Sequence, residues 1–304
     1  MIGAAARTLP RVVHVDRPAP HVLFQRRPPC ALRAPVAKCG MPVDLVEAFR
    51  AAVRGPVIGP DDAPYDRARG TFNALIDARP AVIVRPVDPA DVSSAVRLAA
   101  ERGLPVSVRG GGHSVAGHSV GQGGVMVDLR LFREVVVDPD ARTAVVGGGC
   151  CWNDVDAATQ AHGMAMPGGT YGDTGVAGLT LTGGIGHLIG AFGLTLDNLL
   201  SAELVTASGE VVVASEDREP DLFWALRGGG GNFGVVTTFT FRIHPVPLMA
   251  GGLLAHRAED AAAVLKAFAR MRDDLPDELT HAGVDPARDN DGAARGAHGG
   301  RLPR

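Results

Sequence analysis

The chain has 304 residues, 46% hydrophobic and 21% charged, with a formal net charge of −3. The length suits one large domain or two modest ones, and the near-neutral balance argues against bulk nucleic-acid binding. No run of about 18 apolar residues is present, which excludes a spanning helix, and with no recognisable signal a cytoplasmic location is the expectation.

In chain order, residues 1–40 are rich in arginine and proline, with Asp16 as their only acid. They are expected to be disordered or foreign to the functional protein, because Met41 opens a sequence of different character. "AVIVRPV" (81–87) predicts a strand. Asp88 then caps a helix, with Pro89 in its first turn and Asp91 as capping-box partner. Val92, Ala95, Val96 and Ala99 fall at helical spacing and give one buried stripe, which Gly103 terminates. "LPVSV" (104–108) is the next strand, closing a β-α-β unit. "GGVMVDL" follows as a strand and "EVVVDPDARTAVVG" as a hairpin turning at Pro139-Asp140. "NDVDAATQAHG" predicts a helix closed by Gly163. "LLSAELVTASGEVVVAS" predicts a hairpin turning at Ser208-Gly209. A short helix "PDLFWALRGG", a strand "VVTTFTFRIHPV" and an amphipathic helix "AEDAAAVLKAFARMRD" complete the order. Interleaved helices with frequent hairpins predict an α+β fold with mixed sheets. Residues 281–304 carry almost no large apolar side chains and are expected to be disordered.

Glycine clusters carry the functional signal. "GGGNFG" (229–234) satisfies G-x-G-x-x-G only as a string, since a helix precedes it and a strand follows, the reverse of a dinucleotide fingerprint. No G-K-[ST] follows any glycine cluster, so a Walker A loop is absent. His113 and His118 are five apart with no carboxylate or cysteine in the loop, a poor metal spacing. Cys30, Cys39, Cys150 and Cys151 read as reduced, small core residues. What remains for "RGGGHS" (109–114) is either a turn that merely needs glycine or a cradle of backbone N–H groups for an anion, with Arg109 adding charge. A second glycine-rich stretch, "PGGTYGDTGVAGLTLTGGIGHLIGAFGLTLDNLL" (167–200), favours the cradle. Two naked stretches of main chain suit one long ligand, with phosphates at one end and a flat ring system at the other, such as FAD.

Four blocks, "VRGGGHSVAGHS", "PGGTYGDTGVAGLTLTGGIG", "LTLDNLLSAELVTASGEVV" and "DLFWALRGGGGNFGVVTTFTFRIHPV", occur in the order and spacing of a known family. Over roughly residues 41–280 the chain resembles the FAD-binding domain of the vanillyl-alcohol-oxidase or p-cresol-methylhydroxylase (PCMH) type. Within that type it is most similar to the berberine-bridge-enzyme-like and 6-hydroxynicotine-oxidase-like flavoproteins. The resemblance implies a two-subdomain fold: 41–130 and 131–247 as flavin subdomains, 248–280 as the start of a substrate domain that is otherwise largely missing. It implies that His113 bonds covalently to the flavin 8α-carbon. It implies that Arg109, Gly110, Gly111, Gly112, Ser114, Gly117, His118 and Ser119 form the pyrophosphate loop. Gly168, Gly169, Asp173, Gly175, Gly178, Gly183, Gly184 and Gly186 would form the opposite wall, and Val235 and Val236 a backbone contact to the cofactor.

Bicovalent members carry a cysteine and a histidine where this chain has Tyr171 and Leu179, so a single bond through His113 is expected. The resemblance implies an FAD-dependent oxidoreductase that moves a hydride from a small-molecule C–H to flavin, with dioxygen or another acceptor reoxidising it. Tyr171 and His187 are candidate bases, though a ring-packing residue and a helix-surface residue are the plainer readings. The family continues beyond the length seen here, so truncation is an expectation. The alternative is a non-catalytic flavin-binding fragment or gene remnant. A MurB-like NADPH-dependent reductase, which holds FAD non-covalently, would have no need of His113.

Overall fold

In a computed structural model of the chain, the structure describes residues 43–246, 248–252, 254, 256–271, 275–277 and 279–280. The expectations for residues 1–40 and 281–304 lie outside the described residues.

Helix α1 (Val43–Ala52), strand β1 (Val57–Ile58) and the short helix α2 (Tyr65–Arg69) lead into the predicted β-α-β unit of β2 (Val82–Val84), α3 (Pro89–Glu101) and β3 (Val106–Arg109). Strand β4 (Val125–Asp128) then inserts between its two strands, giving the order β1-β2-β4-β3. β2, β4 and β3 are parallel, and β1 pairs antiparallel with β2. Every residue of β2 and β4 is buried, as a parallel sheet covered on both faces requires. Their side chains alternate. Val82, Val84, Val125 and Val127 meet Phe49 of α1 and Val92, Ala95 and Ala99 of α3, whereas Ile83 and Met126 meet Tyr65 and Ala68 of α2.

Asp88 caps α3 by accepting the Asp91 N–H at 3.0 Å. Asp91 does not complete the capping box. Its buried carboxylate accepts the N–H groups of Arg54 (2.9 Å), Gly55 (2.9 Å) and Val87 (3.1 Å), which the α1–β1 turn and the helix entry leave without partners. Burial opposes its ionisation, but the bonds from Arg54, Val87 and Gly55 outweigh it and hold the carboxyl below the usual range.

The second sheet begins with the hairpin β5 (Val135–Asp138) and β6 (Thr143–Gly147). Helix α4 (Trp152–Gln160), a two-residue strand β7 (Met164–Ala165), and the short helices α5 (Val176–Leu181) and α6 (Ile189–Phe192) follow. Then come the hairpin β8 (Leu199–Val205) and β9 (Val211–Ser215), α7 (Pro220–Leu226) and β10 (Val235–Arg242). The sheet is antiparallel in the order β5-β6-β10-β8-β9. Trp152, Val155, Val176, Leu181, Phe223 and Leu226 pack on it with Leu204, Phe239 and Phe241. Strand β11 (His244–Pro245) pairs with β7, a contact the sequence does not announce, and α8 (Ala261–Met271) forms as expected. Val205 and Val235 of the second sheet belong to the core over α1 and α3, so the sheets share one seam. No helix among the described residues is long and apolar enough to cross a membrane.

Candidate functional site

The carboxyl ends of the parallel strands, where ligands of open α/β sheets sit, carry charge. Arg85 follows β2, Arg109 ends β3, Asp128 ends β4 and Arg130 lies two residues beyond it. Asp128 is fully buried and accepts from Arg85 Nε at 2.8 Å and from Arg130 Nη2 at 2.7 Å. Burial opposes its ionisation, yet the bonds and charge of Arg130, then those of Arg85, hold it below the usual carboxylate range. Arg109 is 7% exposed, its Nη1 donates to the Ala68 carbonyl at 2.7 Å, and its Nε has no partner among the described residues. Burial and then the Arg130 charge lower its pKa, though a guanidinium stays ionised. Three arginines against one carboxylate leave positive charge in excess. A cavity of about 360 Å³ lined by Arg67, Arg85 and Arg130 opens beside them.

The glycine loop rises from the end of β3. Gly112 has φ +79° and lies on the guanidinium of Arg109. Its carbonyl accepts the Phe72 N–H at 3.1 Å. Ser114 closes the loop, its Oγ accepting the His118 N–H at 3.0 Å and its carbonyl the Gly117 N–H at 3.1 Å. Gly117 packs against Ile76. The His118 side chain is exposed; Ser119 is buried with its Oγ unpartnered.

The two glycine-rich stretches meet. A Cβ at Gly111 would fall on the main chain of Gly175, one at Gly175 would fall on Gly111, and Gly110 faces the Gly148 carbonyl. Gly111 is therefore required by its neighbour's backbone, not by ligand space. His113, two residues on, is held on three sides. Its ring stacks on Phe72 with centroids 4.5 Å apart and planes 16° apart. Its Nε2 lies 3.3 Å from Asp173 Oδ2, and its Nδ1 lies 3.5 Å from Thr174 Oγ1.

The rest of the second stretch divides in two. Gly168 and Gly169 pack on the buried Trp152 indole, Gly184 on Thr195, and Gly186 on the Gly168 carbonyl. Protein atoms fill those missing side chains. Gly178 and Gly183 alone among the expected wall glycines face open space. Tyr171 is 73% exposed and makes no ring contact among the described residues, and His187 lies exposed in a turn before α6 instead of on a helix. Val235 and Val236 open β10, each side chain in a different core. Cys150 is a core residue whose thiol burial pushes up to about 12. Cys151 departs from the expectation: it is half-buried and bridges to Gly175 at the site itself.

These residues fit a dinucleotide. A dianionic diphosphate suits the excess positive charge, Arg109 Nε and Ser119 Oγ are buried polar atoms without a partner among the described residues, and the strand ends are the expected place. Sequence reasoning missed Phe72, Thr174, Asp128 and Arg130. The position of Arg130 just past a predicted strand end was a usable signal, whereas nothing local marks Phe72, which is brought to the loop by a contact across forty residues.

Residues 80–215 match the FAD-binding domain family. The chain is similar to (R)-6-hydroxynicotine oxidase of Paenarthrobacter nicotinovorans, 36% identical over 243 residues that cover 78% of this chain and 53% of that protein. It is 40% identical over 203 residues to the FAD-linked oxidoreductase pgmH of Aspergillus terreus, covering 66% of this chain and 41% of that one. The crystal structure of 6-hydroxy-D-nicotine oxidase from Arthrobacter nicotinovorans superposes with a TM-score of 0.69 at 37% identity, over 73% of this chain and 50% of that one. Glucooligosaccharide oxidase from Acremonium strictum, described with a 6-S-cysteinyl, 8α-N1-histidyl FAD, superposes with a TM-score of 0.68 at 31% identity, over 77% and 50%. The chain spans about half the length of the curated relatives it matches.

Proposed function

Because the chain carries the FAD-binding domain of the PCMH-type, 6-hydroxynicotine-oxidase-like and berberine-bridge-enzyme-like flavin oxidoreductases, we propose that it serves an oxidoreductase whose FAD is bonded to His113. The substrate is a small molecule oxidised at an alcohol, sugar or amine carbon, and dioxygen is the electron acceptor. Bound FAD supplies the two-electron acceptor for a hydride from that carbon. The protein's part is to bind the cofactor, orient it and set its electrostatics. Arg85, Arg109 and Arg130 draw the diphosphate to the strand ends, the Gly111–Gly175 contact fixes the loop, and Phe72 holds the imidazole plane. Among the described residues neither Tyr171 nor His187 has a side-chain hydrogen bond that would aim it, so no proton-abstracting base is assigned.

The observation that carries this reading is the meeting of the two glycine stretches at Gly111 and Gly175 with His113 at their edge. Expression of the chain tests it. The expected product is yellow, keeps its colour through acid precipitation, and is bleached by dithionite. A folded, colourless protein that takes up no added FAD contradicts it.

A further inference from the structure

We propose that Asp173 prepares His113 for bonding to the flavin; this rests on the reading of His113 as the attachment point. The two residues are placed by one contact. His113 follows Gly111 by two positions, Asp173 precedes Gly175 by two, and the main chains of Gly111 and Gly175 touch. That register sets Asp173 Oδ2 3.3 Å from His113 Nε2. The stack on Phe72 holds the ring plane.

The negative carboxylate 3.3 Å from Nε2 favours the neutral tautomer that carries its proton there. The lone pair is then on Nδ1. Its neighbour, Thr174 Oγ1, stands at 3.5 Å, the outer edge of hydrogen bonding, and gives way readily. One nitrogen thus has only a weak neighbour and the other stands beside a carboxylate, an arrangement suited to a nucleophile with a nearby proton acceptor. In the bonding step Nδ1 forms the N–C bond to the flavin 8α-carbon. One C–H proton leaves that carbon to solvent, and the Nε2 proton passes to Asp173. The electron pair released stays on the ring system, which is left two-electron reduced until dioxygen removes the pair as hydrogen peroxide. The Asp173 side chain is 73% exposed and has no other ion pair among the described residues, and an exposed pair of this kind adds little to stability. Its place beside His113 is therefore better matched to chemistry than to folding.

The test uses the full chain prepared without flavin, as wild type and as Asp173→Asn, Asp173→Glu and His113→Ala. FAD is added, its affinity is read by fluorescence quenching before bonding proceeds, and bonding is followed as flavin fluorescence retained on a denaturing gel. The expected result for Asp173→Asn, measured at saturating FAD, is bonding slower by on the order of 10²-fold, the scale of a lost proton acceptor, and recovery of most of the rate in Asp173→Glu. Bonding at the wild-type rate in Asp173→Asn overturns the proposal while leaving His113 in place. So does a slowing that saturating FAD abolishes, because Asp173 would then act in binding. Retained covalent flavin in His113→Ala removes the attachment reading and this inference with it.

Discussion

A methyl group added at Gly111 would fall on the Gly175 main chain and lie 3.2 Å from the Asp173 carbonyl oxygen, whereas one added at Gly178 meets nothing within 4 Å. The two glycines therefore give opposite predictions. Gly111→Ala forces the two stretches apart, at a cost of about 1–3 kcal/mol that appears as a lowered melting temperature with or without flavin. Gly178→Ala sits inside α5, where alanine is favoured over glycine by about 1 kcal/mol. It should melt no lower than wild type, yet bind FAD more weakly if the proposed flavin occupies the open space its methyl enters. Equal losses of stability in the two variants, read by differential scanning calorimetry, would refute that division. The sequence marks both positions as glycine in a glycine-rich run and cannot separate them. The distinction depends on what faces each one, and Gly175 is distant in sequence from Gly111.

At the level of elements, the strand ends stand on Asp128. Its carboxyl is held below the unfolded value of about 3.9, so its contribution is fully present at neutral pH and is lost as the pH falls through the depressed folded value. Thermal melts followed by circular dichroism should show that acid-dependent loss in wild type. Asp128→Asn should lower stability by about 3–5 kcal/mol at neutral pH, because Arg85 and Arg130 lose their acceptor, and flatten the acid dependence. An unchanged melt at pH 7 would mean that Asp128 does not organise the cluster. The β-α-β unit was legible because its stripe of Val92, Ala95, Val96 and Ala99 repeats at helical spacing and all four are buried. The insertion of β4 between β2 and β3 was not, since strand order depends on long-range pairing that no local pattern encodes. The same holds for β7 and β11, two residues each, too short to show alternation.

At the level of the whole molecule, two sheets share the seam of α3, β8 and β10, and the loop after β3 meets the segment leading into α5, the two walls of the proposed site. The sequence pointed to both stretches, through their glycines and the resemblance they support. It did not show that protein packing, at Trp152 and Thr195, accounts for Gly168, Gly169 and Gly184. The central claim is that these walls hold FAD with His113 bonded to it. Trypsin digestion of the denatured yellow protein, with mass spectrometry of the flavin-bearing peptide, tests it most directly. The account predicts the flavin on the peptide Gly110–Arg130 at His113. Flavin on any other peptide, or released in full by denaturation, would contradict it.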